Sequence, residues 1–473
     1  MPASRLPNVV LILADDLGYG DVSCLNPDGK IPTPHMDRVG REGAIFTDAH
    51  ACSSVCTPSR YGLLTGRYCW RTWLQKGVLY GYGAPLIEPG RPTIASLLKS
   101  AGYNTACIGK WHLGLGYVQR PDHPAATDAR EFDPRWIDFE RPLTSGPHTL
   151  GFDCSCVIPS SLDIPPYCYI SDGQITEPDM AVTPASARPA FWREGLKSPG
   201  FEFQTCLLEF TRRAEQFIDT HAALRPDRPF FLYFPTPSPH TPHLPRAPFR
   251  GSSRAGVYGD FVVEHDWSIG RILRALDRNS LADNTLVIVT SDNGAHVSPL
   301  DLDRLYGHRG NYIYRGQKSD AWDGGHRIPL LVRWPGHVKA GWACGQTVSL
   351  TDWIATLAAM TGQSLPRDSA EDSFDLTPLL EGRDTPIRDH VVHHSITGQF
   401  AIRKGRWKLV QCRGSGGWSL PEKDVAADAP PMQIYDMQTD PSEQQNLYND
   451  RPAVVEELLD VVRRIREGQR TAR

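Results

Sequence analysis

The chain lacks what a membrane protein needs: no stretch of its 473 residues approaches the ~18 consecutive apolar residues of a membrane span. A recognisable leader is missing too. Residues 1–16, MPASRLPNVVLILADD, hold an apolar run of only six residues before two aspartates, which reads as a strand rather than a signal-peptide core with a cleavage site. The expected compartment is therefore the cytoplasm or, for a chain whose leader has been removed, the periplasm or the exterior. Excess positive charge is absent. With 50 Lys and Arg against 54 Asp and Glu the net charge is −4, so nucleic acid is not an expected partner. A local positive pocket for an anion stays open, because net charge says little about one cleft. The eleven cysteines are odd in number and contain no CxxC pair, which argues against a zinc ribbon or a disulfide framework and leaves most of them as reduced core residues. There are no internal repeats and no low-complexity segments.

What is present fits an ordinary globular protein, 40% apolar and 22% charged, long enough for one large α/β domain and a smaller one. Short, continuous apolar runs at 9–14, 105–108, 230–234, 286–290 and 330–334 read as parallel strands buried on both faces. Helical patterns lie between them, at 92–99, at 203–221 with Leu207, Phe210, Ala214, Phe217 and Ile218 on one side, and at 261–276. This alternation predicts an α/β fold with a large mixed, mostly parallel sheet sandwiched by helices. Residues 120–200 are proline-rich and irregular, and read as surface insertions over the sheet edge, where specificity resides. The character then changes: residues 400–410 predict a hairpin turning at Lys404-Gly405, 433–436 another strand, and 452–466 a closing helix. The expected division is a main α/β domain over 1–375 and a small α+β subdomain over 376–473.

The polar residues that follow the strands carry the chemistry. The first run ends in Asp15-Asp16, the second in Gly109-Lys110-Trp111-His112, the third leads to Ser238-Pro239-His240, and the fourth ends in Ser291-Asp292-Asn293-Gly294. Ligands bind beyond the carboxyl ends of strands in open parallel sheets, so these clusters converge on one edge. Asp15, Asp16, Asp292 and Asn293 are all oxygen donors, a set suited to calcium or magnesium rather than a soft metal, and their carboxylates would repel one another without a cation. Taken singly, Asp-Asp and Asp-Asn-Gly are also plain turn and capping signals. Strand alternation around Trp111 would point Lys110 and His112 to the same side. His240 and His243 could form a zinc pair, but the prolines between and around them argue against a helix presenting both; His240 reads better as a loop donor or general acid, and His243 as a substrate-side or structural residue.

The segment Ser54-Val-Cys56-Thr-Pro-Ser-Arg60-Tyr-Gly-Leu-Leu-Thr-Gly66 resembles the sulfatase signature, Cys-x-Pro-Ser-Arg followed by Leu-Thr-Gly. The other motifs match the same family in order: Asp15-Asp16, Gly109-Lys-Trp-His-Leu-Gly114, Pro239-His240, Ser291-Asp-Asn-Gly294, and Lys318 before Gly324-Gly325. One departure is Asp323-Gly-Gly where the family usually has Glu-Gly-Gly. The resemblance spans the chain and implies an alkaline-phosphatase-like fold and hydrolysis of a sulfate monoester. It implies that Cys56 is oxidised to formylglycine by a separate formylglycine-generating enzyme and hydrated to a gem-diol. It further implies that Asp15, Asp16, Asp292, Asn293 and residue 56 hold one calcium ion, with magnesium the lesser choice. Arg60 would support the hydroxyl geometry, Lys110 and Lys318 would offset charge on the sulfuryl oxygens, His240 would protonate the leaving alcohol, and His112 would deprotonate the second hydroxyl.

Two other readings remain. A phosphonate or phosphodiester hydrolase that also uses formylglycine shares the architecture, whereas the two-zinc phosphatases need more histidine ligands than this set offers. A degenerate relative that only binds sulfated glycans would lack catalytic positions, and none is missing. The substrate is expected to be a carbohydrate sulfate cleaved at an exposed terminal residue, with Arg71, Trp73, His296, His308 and Arg309 as candidate sugar contacts.

Overall fold

A computed structural model describes residues 6–121, 128–187, 190–296, 299–468 and 470–472; residues 122–127 and 188–189 of the proline-rich stretch lie outside it. Ten strands form one sheet, in the spatial order Trp342–Cys344, Ala44–Phe46, Leu330–Arg333, Thr285–Ser291, Asn8–Asp15, Phe230–Pro239, Asn104–Lys110, Cys154–Ile158, Ile170–Ser171, Gln174–Ile175. From Thr285–Ser291 to Cys154–Ile158 the strands run parallel, with Asn8–Asp15 in the middle of the sheet.

All eight residues of Asn8–Asp15 are buried. Val9, Leu11 and Leu13 enter one core, while Val10, Ile12 and Ala14 enter the other, as the two-residue period of a strand requires. The first core is closed by the helices Cys56–Thr65, Ile94–Ser100 and Trp353–Thr361; the second by Pro34–Glu42, Cys206–Leu224 and Gly256–Arg278. This is the expected helix-sheet-helix sandwich, and it explains the unbroken hydrophobicity of the central strands. No helix among the described residues is long and apolar enough to cross a membrane. All eleven cysteines are free, and all but Cys24 and Cys154 are buried.

Three expectations need correction. The 330–334 run is antiparallel to its neighbour, with Thr290 opposite Leu330. The chain between these strands stays at the carboxyl edge of the sheet instead of crossing back, so it re-enters in the opposite direction. Residues 120–200 are not wholly surface insertion. Cys154–Ile158 pairs in parallel with Asn104–Lys110 and extends the sheet, which the short CSCVI run between irregular segments did not signal. In the C-terminal hairpin Lys404 pairs with Trp407, so the turn is Gly405-Arg406, one residue later than predicted.

The last strands, His390–His394, Phe400–Lys404, Trp407–Val410 and Gln433–Asp436, form a separate antiparallel sheet. One face, with Val392, Ile402, Leu409 and Ile434, joins the first core together with Val455, Leu458 and Val462 of the helix Pro452–Glu467. The other face packs Ala401, Val410 and Tyr435 against Ala321 and Trp322.

Candidate active site

Cys56 is the first residue of a helix in which all ten residues are buried. Val55 before it is extended, and Pro58 falls in the first turn, where its missing N–H breaks no helical bond. The helix ends at Gly66, whose φ of +67° lets its N–H return to Gly62 O at 2.9 Å. Burial pushes the Cys56 thiol up to about 12, although Lys110 and Lys318 pull it down. An unmodified thiolate nucleophile is therefore disfavoured here.

Arg60 follows one helical turn later, on the same face as Cys56. Its Nε and Nη2 donate to Asp292 Oδ2 at 2.9 and 2.8 Å, and its Nη1 donates to Lys110 O at 2.9 Å. Arg60 thus binds the end of one strand to the end of another, with no exposure to solvent. Asp292 Oδ1 accepts from the backbone N–H of Asp16 at 3.2 Å. Asp16 takes a φ of +68°, which turns its carboxylate off the strand toward Asn293 Nδ2 at 2.7 Å and Lys318 Nζ at 2.8 Å. Lys110 Nζ donates to both oxygens of Asp15 at 2.7 Å. The strand can deliver Lys110 there because residue 109 is glycine: a Cβ would stand 1.9 Å from Pro235 O, and φ is +140°.

Three buried carboxylates thus face three buried cations. Burial raises the Asp15 carboxyl, but Lys110, His240 and Arg60 together hold it below the usual range. Asp16 is likewise lowered against its burial by Lys318 and His240. Asp292 goes the other way, because burial outweighs Arg60 and the neighbouring Asp15 opposes its charge.

The two histidines are oriented by carbonyls. A carbonyl only accepts, so His112 Nε2, 2.8 Å from Leu79 O, carries its proton, and the buried Nδ1 has no hydrogen-bond partner among the described residues. Burial and Lys110 keep this ring neutral, its pKa well below 6.5. His112 has a φ of +57°, so it does not continue the strand that ends at Lys110; the two reach the site by a turn, not by the predicted alternation. His240 Nδ1 donates to Thr241 O at 2.7 Å, and its Nε2 stands 3.5 Å from Asp16 Oδ2.

A cavity of about 740 Å³ opens above these groups, with Cys56, His112, His240 and Lys318 among its lining residues. His243 and His296 line it too; His243 also meets the Tyr258 ring edge-on. The other proposed sugar contacts do not reach it. Arg71 and Trp73 line a separate cavity, with Arg71 paired to Asp372. His308 is buried against Asp21 and the N–H of Lys30, and Arg309 is held by Asp303 at the surface. Sequence reasoning missed Tyr80, Asp163, Phe191, Arg193 and Trp418 in the cavity wall. Asp163 follows the strand Cys154–Ile158, as the other site residues follow theirs, but that strand was not legible in the sequence.

The donor set fits a hard divalent cation. Ligand atoms of Asp15, Asp16, Cys56 and His240 lie within 4.8 Å of one another. Asn293 Oδ1, beside them, is buried without a hydrogen-bond partner among the described residues. An orphaned amide oxygen beside clustered carboxylates is what calcium or magnesium takes.

The sequence model of the Sulfatase family matches residues 7–363. The chain belongs to the sulfatase family. As a sulfatase it is a sulfuric ester hydrolase of the alkaline-phosphatase-like fold. A second model, the C-terminal part of N-sulphoglucosamine sulphohydrolase, matches residues 317–468 of this sulfatase. It is 34% identical to the N-acetylgalactosamine-6-O-sulfatase of Bacteroides thetaiotaomicron, over 98% of this chain and 94% of that one. With human arylsulfatase A it shares 32% identity, over 98% of this chain and 88% of the relative. A solved sulfatase structure from glycosaminoglycan metabolism by Bacteroides thetaiotaomicron superposes with a TM-score of 0.84 at 33% identity, covering 98% of this chain and 99% of that one.

Proposed function

We propose that this sulfatase removes sulfate from the terminal residue of a carbohydrate, with residue 56 acting as formylglycine and calcium bound by Asp15, Asp16, Asp292, Asn293 and residue 56. The observation that carries this reading is the position of Cys56 at the cavity floor, its Sγ within 4.8 Å of donor atoms of Asp15, Asp16 and His240. The carbohydrate assignment is supported by the two similar Bacteroides proteins named above and by a wall mixing polar groups with the rings of Tyr80, Phe191 and Trp418. Segments from ten parts of the chain line the cavity, which suits a chain end more than a continuous polymer.

Oxidised and hydrated, residue 56 supplies two geminal hydroxyls: one attacks sulfur, and the other lets the resulting ester expel sulfate by collapse to the aldehyde. Calcium, when bound, supplies Lewis acidity that favours ionisation of the attacking hydroxyl and polarises a sulfuryl oxygen. Arg60 holds Asp292, which accepts the attacking hydroxyl's proton. Lys110 and Lys318 offset the charge that develops on the sulfuryl oxygens. His240 Nε2 gives a proton to the alcohol oxygen as its bond to sulfur breaks. His112 Nδ1 then takes the proton of the second hydroxyl.

The test combines chemistry and composition. Protein matured with a formylglycine-generating enzyme should show the aldehyde at residue 56 by peptide mass spectrometry and about one calcium per chain by metal analysis. It should hydrolyse N-acetylgalactosamine 6-sulfate, N-acetylglucosamine 6-sulfate or galactose 6-sulfate, and the aryl ester 4-methylumbelliferyl sulfate, far faster than aryl phosphate or phosphonate esters. Cys56→Ala should abolish turnover, and near-normal rates in that variant would sink the reading. Preference for the phosphorus esters would favour the phosphonate or phosphodiester hydrolase alternative.

A further inference from the structure

The mechanism leaves a charged pair of the cavity wall, Asp163 and Arg193, without a task. Asp163 is 5% exposed and lines the cavity wall. Its two oxygens differ. Oδ2 accepts from Arg193 Nη1, which also reaches the Asp163 carbonyl, so the carboxylate is held in one orientation. Oδ1 is buried and makes no hydrogen bond among the described residues. It stands 3.8 Å from His240 Nδ1, but that nitrogen's proton is engaged by Thr241 O at 2.7 Å.

A buried carboxylate oxygen with no donor is costly, and such groups call for an explanation. The segment that carries it is fixed. It follows the strand Cys154–Ile158, and the N–H groups of Trp111 and His112 donate to Ile158 O and Pro159 O at 3.0 and 3.1 Å. Asp163 is thereby tied to the loop that bears Lys110 and His112. Tyr167 Oη donates to Arg193 O at 2.7 Å and secures the other half of the pair.

We propose that Asp163 Oδ1 accepts a hydrogen bond from a ring hydroxyl of the sugar that carries the sulfate, making Asp163 a specificity-determining residue of the alcohol side of the cavity. This rests on the carbohydrate reading above. The chemistry selects for a donor: a hydroxyl beside the cleaved ester satisfies Oδ1, while an aryl or steroid alcohol brings only carbon and leaves the carboxylate desolvated and unpaired. A site built to bond a substrate hydroxyl rejects analogues that lack it far more strongly than an apolar pocket rejects a change in size. The His240 contact gives the selected hydroxyl a position next to the oxygen that His240 protonates, which restricts recognition to hydroxyls near the scissile bond.

The test is a cycle of substrate and protein changes on mature, calcium-loaded enzyme. kcat/KM is measured for whichever of the three monosaccharide 6-sulfates above the wild type cleaves, for its monodeoxy analogues, and for 4-methylumbelliferyl sulfate. Asp163→Asn is the first variant: Arg193 keeps the amide oxygen, so an NH₂ donor replaces Oδ1. Asp163→Ala is the second, and the aryl sulfate reports whether each folds with a working centre. One deoxy analogue is expected to lose at least about tenfold in the wild type and to lose little more in either variant, while the sugar-to-aryl ratio of kcat/KM falls at least about tenfold. Equal losses on sugar and aryl esters, with a shifted limb in the pH profile, would make Asp163 a positioning residue for His240 and overturn the proposal. Deoxy penalties that persist unchanged in both variants would also overturn it while leaving the carbohydrate reading intact. A wild type that cleaves only the aryl ester would overturn both.

Discussion

His112 and His240 line one cavity, yet their hydrogen bonds leave different nitrogens facing the chemistry. His112 spends its Nε2 proton on Leu79 O and keeps a bare Nδ1, so in its neutral form it can only accept. His240 spends its Nδ1 proton on Thr241 O and turns Nε2 toward Asp16 at 3.5 Å. In the proposed mechanism the first imidazole acts as base and the second as acid, a division that separate environments make possible. His112→Ala should therefore still release about one equivalent of alcohol per site and then stall, with steady-state sulfate release down ~10²–10⁴-fold. Rapid-quench assays and a sulfuryl mass gain on residue 56 check this; slow steady release of both products without a burst would contradict it. His240→Ala should instead depend on the alcohol, with sugar esters slowed far more than aryl esters of acidic phenols, because only the former need a proton to leave. A series of aryl sulfates of graded leaving-group pKa reads this directly.

At the level of elements, the nucleophile helix is held by its ends. Gly66 closes it in the left-handed region, and a Cβ there would lie 2.4 Å from Ile354 Cγ2. Gly66→Ala combines backbone strain with overpacking and should destabilise by about 2–4 kcal/mol, measured by urea unfolding, with activity falling at temperatures well below the unfolding midpoint. An unchanged midpoint would show that Ile354 yields. The same helix shows what the sequence made legible. The Cys56 motif and the strand ends bearing Asp15, Lys110, His240 and Asp292 could be read because catalysis demands particular residues in a fixed order. The strand before Asp163 could not: its five residues are stabilised by pairing with Asn104–Lys110, a long-range contact that leaves no periodic trace in so short a run. The direction of Leu330–Arg333 was hidden for a related reason, since apolar content reports burial and not polarity of the chain. Arg71, Trp73, His308 and Arg309 misled because residue type alone does not tell a sugar contact from an ion pair.

Across the whole molecule, the separate C-terminal sheet is joined to the segments around His50 and Asp323–His326 through a buried polar cluster. His393 of the strand His390–His394 stacks on His326 with ring centroids 3.7 Å apart, and His50 meets His326 nitrogen to nitrogen at 3.0 Å. Lys408, on the next strand but one, donates to Asp323 and forms an ion pair with Glu443, each at 2.7 Å, and Arg327 bridges Asp323 and Asp48. Burial, with His50 and Lys408 adding their repulsion, holds the His393 pKa well below 6.5 despite Asp323. His50 and His326 are lowered as well, chiefly by burial. The unfolded chain takes up these protons near pH 6.5 and the folded one does not. Stability from the cluster is therefore complete above about pH 6.5 and is lost as the pH falls below it, by about 1.4 kcal/mol per pH unit for each histidine. Glu443 works against this, because burial raises its pKa to about 7 and folding takes up its proton between the unfolded value and that point. A single-site difference removes that opposition. His393→Phe keeps the ring stack but deletes one titrating group, so the wild type's advantage over it should be largest near pH 7.5 and should shrink by about 1.4 kcal/mol per unit below pH 6.5. Urea midpoints of both proteins from pH 5 to 8 measure it. Parallel curves would mean that folded His393 accepts a proton after all, and that the buried contact of the C-terminal sheet tolerates a charge at its centre.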